Sequence, residues 1–189
     1  MKGLADFDRS KAAYCPFYCE ENVWQLVKAI SDFDSDFKGA VLFFLNAGSF
    51  VAMKNQVAFE SGSIGFWDYH VVLLDSQKQL VYDLDSRLGC PVSAKLYFAE
   101  AFPDQNDLVV EVRALVRSIP SQEYLNRFSS DRSHMVDSDG TAREPFPPWP
   151  AIVNEDPVWL DQYRLVEAIE GSASEVLGVE EFARRVRCA

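Results

Sequence analysis

Residues 65–74 read Gly65-Phe66-Trp67-Asp68-Tyr69-His70-Val71-Val72-Leu73-Leu74, so a histidine stands at the mouth of an apolar strand. A polar break at residues 75–78 separates this run from a second strand-like run, Leu80-Val81-Tyr82-Asp83-Leu84-Asp85. If Ser76-Gln77 forms the tip of a hairpin, His70 lies opposite Asp83. A carboxylate behind an imidazole fixes its tautomer and stabilises the imidazolium. The stretch therefore predicts an antiparallel hairpin that carries two members of a nucleophilic triad.

The whole chain has the size of one domain. Its 189 residues are 48% hydrophobic and 25% charged, which predicts a single domain spanning residues 1–189, or at most a domain with a small appended lobe. The first fifteen residues contain no apolar core of the kind a secretory signal needs, and no run approaches membrane-spanning length. The expected compartment is the cytoplasm, with no membrane partner. There the four cysteines should be reduced thiols: Cys15, Cys19, Cys90 and Cys188.

The chain is strongly acidic. Eighteen basic side chains against 29 acidic ones give a formal net charge of −11, which repels a polyanion and argues against nucleic acid as a partner. A cationic ligand is electrostatically easier to bind, although acidic residues also simply keep a cytoplasmic protein soluble.

The periodicity of the N-terminal half predicts one helix on a sheet. Apolar residues at helical spacing follow Glu20, which indicates an amphipathic helix that begins at about Cys19 or Glu20 and ends in residues 31–36. Residues 40–45 read as a buried strand and residues 50–53 as a second one, followed by the His70 and Asp83 strands. Four successive strands with tight turns predict an antiparallel sheet and an α+β fold.

The signals weaken beyond residue 89. Residues 94–102, residues 121–128 and the end of the tail, around residues 179–186, read as helices. Residues 129–140 are too polar for a core element. Residues 143–150 hold four prolines, which forbid helix and central strand, so this segment is expected to be an extended, ordered strap.

Cys19 is the best-placed nucleophile because it sits where the chain turns into the first helix. Free backbone N–H groups and the helix dipole favour a thiolate there, and the same groups could hold an oxyanion. The order Cys19, His70, Asp83 is the layout seen in papain-like and transglutaminase-like enzymes. The fold is accordingly expected to be similar to that core.

Other interpretations of these residues are open. A lone cysteine is often only a small buried apolar group, and a strand histidine is often structural. Cys15 is a rival nucleophile and His134 a rival base. Zinc on Cys15, Cys19, His70 and His134 fits the usual ligand spacings poorly, so no metal is expected.

Five motifs in one order carry a specific resemblance. They are Tyr18-Cys19-Glu20-Glu21-Asn22, Trp67-Asp68-Tyr69-His70-Val71-Val72-Leu73-Leu74, Tyr82-Asp83-Leu84-Asp85, Ser130-Asp131-Arg132-Ser133-His134-Met135 and Arg143-Glu144-Pro145. Between about residues 14 and 150 the chain resembles the protein N-terminal glutamine amidohydrolases, whereas residues 151–189 match less well. The resemblance implies a monomeric cytoplasmic and nuclear enzyme of the N-degron pathway. It converts N-terminal glutamine to glutamate and ammonia without metal or organic cofactor.

The resemblance implies that Cys19, His70 and Asp83 are catalytic and that the partners are proteins or peptides with a free N-terminal glutamine. Selecting a first residue requires a group that binds an α-ammonium, and the candidates are Glu20, Asp68 and Asp131. Glu20 is favoured because it adjoins the nucleophile. The alternative functions are a cysteine peptidase or transglutaminase with the same triad, or a non-catalytic interaction module.

Overall fold

The structure of the protein is a computed structural model that describes residues 7–188, except the side chain of Cys188. The expectation for that thiol lies outside the described residues. The helices are α1 (Cys19–Phe33), α2 (Ala94–Glu100), α3 (Ser121–Arg127), α4 (Leu160–Tyr163) and α5 (Val179–Cys188). The strands are β1 (Gly39–Leu45), β2 (Val51–Lys54), β3 (Ile64–Trp67), β4 (His70–Asp75), β5 (Leu80–Tyr82), β6 (Val92–Ser93), β7 (Leu115–Pro120), β8 (Phe128–Ser129), β9 (Val158–Trp159) and β10 (Glu175–Gly178).

Six of these strands form an antiparallel sheet in the order β10-β7-β1-β4-β5-β6. Alternate residues of β1 and β4 join two separate hydrophobic clusters, one with α1, α3 and α4 and the other with α2 and α5. Both faces of the sheet are therefore covered by helices, which explains why the central strands are continuously apolar. The α+β class and the antiparallel sheet packed by an N-terminal helix are confirmed.

The hairpin that joins β4 to β5 has a different register from the predicted one. The sequence prediction pairs Leu73 with Leu80, whereas the structure pairs Leu73 with Tyr82. The turn is wider than predicted because Asp75 accepts hydrogen bonds from the backbone N–H groups of Gln77 and Lys78, at 3.0 and 2.9 Å. A shift of two residues keeps every side chain on its original face. His70 and Asp83 consequently remain on the same face despite the error.

The predicted run of four neighbouring strands is wrong. β2 leaves the main sheet and pairs with β3 in a separate two-stranded ribbon, and β1 instead lies between β4 and β7. β7 and β10 were not predicted, since both follow stretches of mixed polarity and acquire their partners from distant parts of the chain.

The helix α1 begins at Cys19, as predicted, and runs through Phe33 into the expected linker. Its buried apolar residues, Val23, Leu26, Val27 and Ile30, are those of the predicted stripe. The helices predicted over residues 94–102, 121–128 and 179–186 correspond to α2, α3 and α5. Within residues 7–188, no helix combines the length and the apolar character needed to cross a bilayer.

Candidate active site

The pair His70 and Asp83 lies where the sheet ends. His70 is the first residue of β4 and Asp83 follows the last residue of β5, and both side chains are buried. The distance from His70 Nε2 to Asp83 Oδ1 is 3.0 Å, so the carboxylate accepts the N–H of this nitrogen. The other ring nitrogen, Nδ1, is buried and has no partner among the described residues. The imidazole is thus held in the tautomer that leaves Nδ1 free to accept a proton.

Asp83 is held by four donors. Besides His70, Oδ1 accepts the backbone N–H of Asp85 at 2.9 Å, and Oδ2 accepts the side-chain amide of Gln56 at 3.0 Å and the hydroxyl of Tyr97 at 2.8 Å. Burial alone would raise the pKa of Asp83, but the charge and hydrogen bond of His70 and the bond from Gln56 hold it below its usual value. Asp83 is therefore anionic and fixed in one orientation.

The same pair sets the charge state of the imidazole. Burial alone would lower the pKa of His70, but the charge of Asp83 and its hydrogen bond outweigh burial and raise it above the usual value. The indole of Trp67 stacks on the imidazole, with ring centroids 5.5 Å apart and planes 15° apart. His70 is consequently a stronger base than an exposed histidine, and its ring cannot turn freely.

Cys19 is the first residue of α1, is half-buried, and lines the same cavity as His70. The helix N-terminus was expected to lower the pKa of its thiol. Burial instead raises that pKa well above the usual value, and the charges of Glu20 and Asp85 add to the effect, while a backbone hydrogen bond from Val71 opposes it. In the free protein Cys19 is thus a neutral thiol, and a base is needed to ionise it.

The cavity that Cys19 and His70 share has a volume of about 110 Å³. Its other lining residues are Phe17, Trp67, Asp68, Tyr69, Asp85, His134 and Met135. The cavity is small compared with the roughly 300–1,000 Å³ of typical ligand pockets, so it suits one side chain rather than a whole peptide. A larger groove of about 590 Å³ lies between α2 and α5, but its lining contains no cysteine or histidine. The chemistry therefore concentrates in the smaller cavity.

Glu20 follows Cys19 in the first turn of α1 and is completely buried. The hydroxyl of Tyr69 donates to its Oε2 at 3.0 Å, and Nε2 of His134 is 3.6 Å from its Oε1. Burial raises the pKa of Glu20 to about 7, and the neighbouring charge of Glu21 contributes. Glu20 does not belong to the lining of the cavity, but its Oε2 accepts a hydrogen bond from the Cys19 thiol, with Sγ 3.6 Å away.

Glu21 anchors the polar loop that contains Arg132. Nε and Nη2 of Arg132 donate to its two carboxylate oxygens at 2.8 and 2.7 Å, and the indole N–H of Trp149 donates at 2.7 Å. The polarity of residues 129–140 predicts that they lie outside the core, yet Arg132 is buried because Glu21 neutralises it. Arg132 pairs with Glu21 rather than with Asp131. The contact also fastens the proline-rich strap, through Trp149, to the first turn of α1.

The remaining predicted residues occupy different places. Asp68 lines the cavity, but it is 54% exposed and pairs with Arg164 at 3.1 Å. Asp131 lies outside the cavity lining and accepts the backbone N–H of Ser133. His134 does line the cavity and does have a carboxylate neighbour, which comes from α1 rather than from a strand. Burial lowers the pKa of His134, so it is a weaker base than His70.

Sequence reasoning missed three residues of this site. Gln56 and Tyr97 hold Asp83 from parts of the chain that lie far from it in sequence, and no local motif marks them. Asp85 lines the cavity beside His70. The sequence places Asp85 two residues after Asp83, but a turn at residues 84–85 rather than strand alternation brings both carboxylates to His70.

Comparison with known proteins identifies relatives along nearly the whole chain. A family model described as N-terminal glutamine amidase matches residues 14–186. A protein named protein N-terminal glutamine amidohydrolase from Homo sapiens is 37% identical over 153 residues, covering 78% of this chain and 75% of the relative. Proteins of the same name from Danio rerio and Caenorhabditis elegans are 34% and 32% identical over 181 and 167 residues. These alignments cover 93% and 86% of this chain, and 89% and 90% of the relatives.

Proposed function

Because the chain belongs to the N-terminal glutamine amidase family, we propose that its cavity deamidates N-terminal glutamine with Cys19, His70 and Asp83 as catalytic triad. The curated relatives are named as amidohydrolases, and this chain is a hydrolase of amide bonds. One observation supports the assignment of residues. Nε2 of His70 is hydrogen-bonded to Asp83, and its buried Nδ1 is unpaired in a cavity that Cys19 also lines.

The proposed reaction has two halves. Nδ1 of His70 takes the proton of the Cys19 thiol as the sulfur attacks the carboxamide carbon of the substrate side chain, forming a C–S bond. The imidazolium then protonates the amide nitrogen, the C–N bond breaks and ammonia departs. A thioester between Cys19 and the substrate side chain remains. Water that gives a proton to His70 attacks the thioester, the C–S bond breaks, and the thiol regains its proton. The products are an N-terminal glutamate and a regenerated Cys19.

The raised pKa values explain why a triad is needed. Because the pKa of the Cys19 thiol is raised, the thiolate forms only when a base close by takes the proton. Asp83 supplies that base by raising the pKa of His70. The reaction uses side chains alone, and we propose that it needs neither metal nor organic cofactor.

We propose that an acidic residue binds the α-ammonium of the substrate. Glu20, Asp68 and Asp131 were predicted to bind the α-ammonium, and Asp68 is the one of them that lines the cavity. The acidic character of the cavity supports a cationic ligand, since its lining includes two aspartates and no lysine or arginine.

The decisive experiment compares peptides that begin with glutamine, asparagine or acetyl-glutamine. Wild type should release ammonia from the first peptide and convert its side-chain amide to an acid, as followed by mass spectrometry. Cys19→Ala should be inactive, whereas Cys90→Ala, which removes a thiol outside the cavity, should retain activity. Equal rates on acetyl-glutamine would contradict the N-terminal specificity. Cleavage of internal bonds or joining of glutamine to lysine would favour the peptidase or transglutaminase alternative.

We also propose that residues 1–189 form one catalytic domain with a transglutaminase-like or papain-like core. The protein would act as a monomer in the N-degron pathway, in the cytoplasm and nucleus. Alignments that cover most of both chains support the single domain. Size-exclusion chromatography with light scattering tests the monomer, because a dimer would elute with twice the mass of the chain.

A further inference from the structure

Asp85 is a buried carboxylate in the wall of the cavity that the proposed mechanism does not use. It is 7% exposed, and it lines the cavity together with Cys19 and His70. His70, Asp83 and Asp85 each place a potential ligand atom within 4.8 Å of the others. Asp85 therefore stands beside the base that must reach the reacting amide.

The orientation of Asp85 is fixed by its neighbours. The hydroxyl of Tyr14 donates to its Oδ1 at 2.6 Å, its backbone N–H donates to Asp83, and its carbonyl accepts from Val57 at 2.7 Å. Within residues 7–188, Oδ2 receives no hydrogen bond from the protein. One oxygen is thus held by tyrosine, while the other is available to a ligand.

Burial raises the pKa of Asp85, although the charges of His70 and Arg9 and the hydrogen bond from Tyr14 oppose it, so its anionic form is only partly compensated in the free protein. The lining of the cavity itself contains no lysine or arginine. A cationic group on the ligand would complete the compensation, and an α-ammonium carries up to three N–H donors.

The dimensions of glutamine keep its ammonium inside the cavity that Cys19 and Asp85 both line. Ordinary bond lengths separate the α-nitrogen from the carboxamide carbon by roughly 4–5 Å. When the carboxamide carbon is at Cys19, the ammonium must lie within a few ångströms of the triad. Glu20 is outside the cavity lining and Asp68 is already paired with Arg164, so neither meets this requirement as well.

We propose that Asp85, oriented by Tyr14, binds the α-ammonium of the substrate and selects the first residue of a chain. The inference rests on the proposed function and names a recognition residue for the same cavity. Acetylation removes the ammonium charge and leaves the buried carboxylate unpaired, which penalises blocked or internal glutamine.

The test uses two substrates with Asp85→Asn. One is a glutamine-initial peptide, and the other is its des-amino analogue, in which hydrogen replaces the α-amine. The variant should lower kcat/KM for the glutamine peptide at least about 30-fold, the effect of removing one partner of a buried charge pair. The lost charge also lowers the pKa values of Cys19 and His70 for both substrates, so the quantity that tests binding is the ratio of the two kcat/KM values, which should fall by about the same factor. Tyr14→Phe should reduce the same discrimination by a smaller factor.

Equal losses of kcat/KM on both substrates would overturn the proposal, since Asp85 would then act only through the effect of its charge on His70. Unchanged activity on both would overturn it too. Asp75→Asn, which alters a buried aspartate at the far end of β4, is the matched control, and thermal melts verify folding. Calorimetry in the Cys19→Ala background separates this inference from the proposed reaction. If wild type released no ammonia, weaker binding of the glutamine peptide by Asp85→Asn would still support ammonium recognition.

Discussion

Replacing Asp83 by asparagine removes one charge from the centre of the site and tests the proposed triad. Asparagine retains an oxygen for His70 and the Asp85 amide if its NH2 turns toward Gln56 and Tyr97. Both neighbours can adapt: the unpaired Oε1 of Gln56 can accept a hydrogen bond after an amide flip, and the tyrosine hydroxyl can rotate. The variant should therefore fold with nearly the same geometry and lose mainly the charge.

The size of the effect follows from the distance. Two unit charges 3.0 Å apart interact by about 5 kcal/mol at an effective dielectric constant of about 20. The asparagine oxygen keeps part of this attraction, so we expect a loss of about 2–4 kcal/mol in stabilisation of the imidazolium. This loss corresponds to a decrease in kcat/KM of about 30- to 1,000-fold.

The pH profile provides a second measurement. Asp83 raises the pKa of His70, so Asp83→Asn lowers that pKa and moves the acidic limb of kcat/KM to lower pH while the plateau falls. Asp75→Asn serves again as control and should change neither limb nor plateau. The reasoning is refuted if Asp83→Asn folds normally, keeps wild-type kcat/KM and leaves the acidic limb in place.

Two further changes probe the buried charges around the nucleophile. Arg132→Met leaves Glu21 buried without its cation and should lower the free energy of unfolding by about 3–5 kcal/mol in urea titrations. Arg185→Met, which breaks exposed ion pairs, should have little effect. Glu20→Gln tests how the free energy of unfolding depends on pH. The pKa of Glu20 is about 7 in the folded protein, against a usual value of 4.5. Between these two pH values the native state therefore retains a proton that the unfolded chain has lost. Wild-type stability should therefore fall by about 3 kcal/mol relative to this variant as pH rises from below 4.5 to above 7. Glu60→Gln, at an exposed site, is the control substitution.

The elements that could be predicted from the sequence are those with a local signal. The α1 stripe, the apolar runs of β1 and β4 and the placement of His70 and Asp83 on one face all follow from periodicity. The hairpin prediction survived a wrong register because the error was two residues, and an error of one would have placed the two side chains on opposite faces.

The parts that were missed depend on contacts between distant residues. β7 pairs with β1 although the paired residues Phe44 and Val116 are more than sixty positions apart in the sequence. No pattern in residues 108–115 predicts this strand. The support of Asp83 by Tyr97 depends on how α2 packs on the sheet. The sequence alone predicts an exposed Arg132, and its burial is explained only by the ion pair with Glu21. Such pairings are fixed by tertiary packing, which overrides local propensity.

The acidity of the site connects recognition with catalysis. Burial raises the pKa of the Cys19 thiol, and the charges of Glu20 and Asp85 add to it, so without substrate the proposed nucleophile stays protonated. An ammonium bound at Asp85 would neutralise one of these charges and thereby favour the thiolate. The group that marks the start of a chain would then also help to activate the nucleophile. Glutamine-initial and des-amino peptides should accordingly differ in kcat as well as in KM, and a difference confined to KM would show that the ammonium contributes to binding alone.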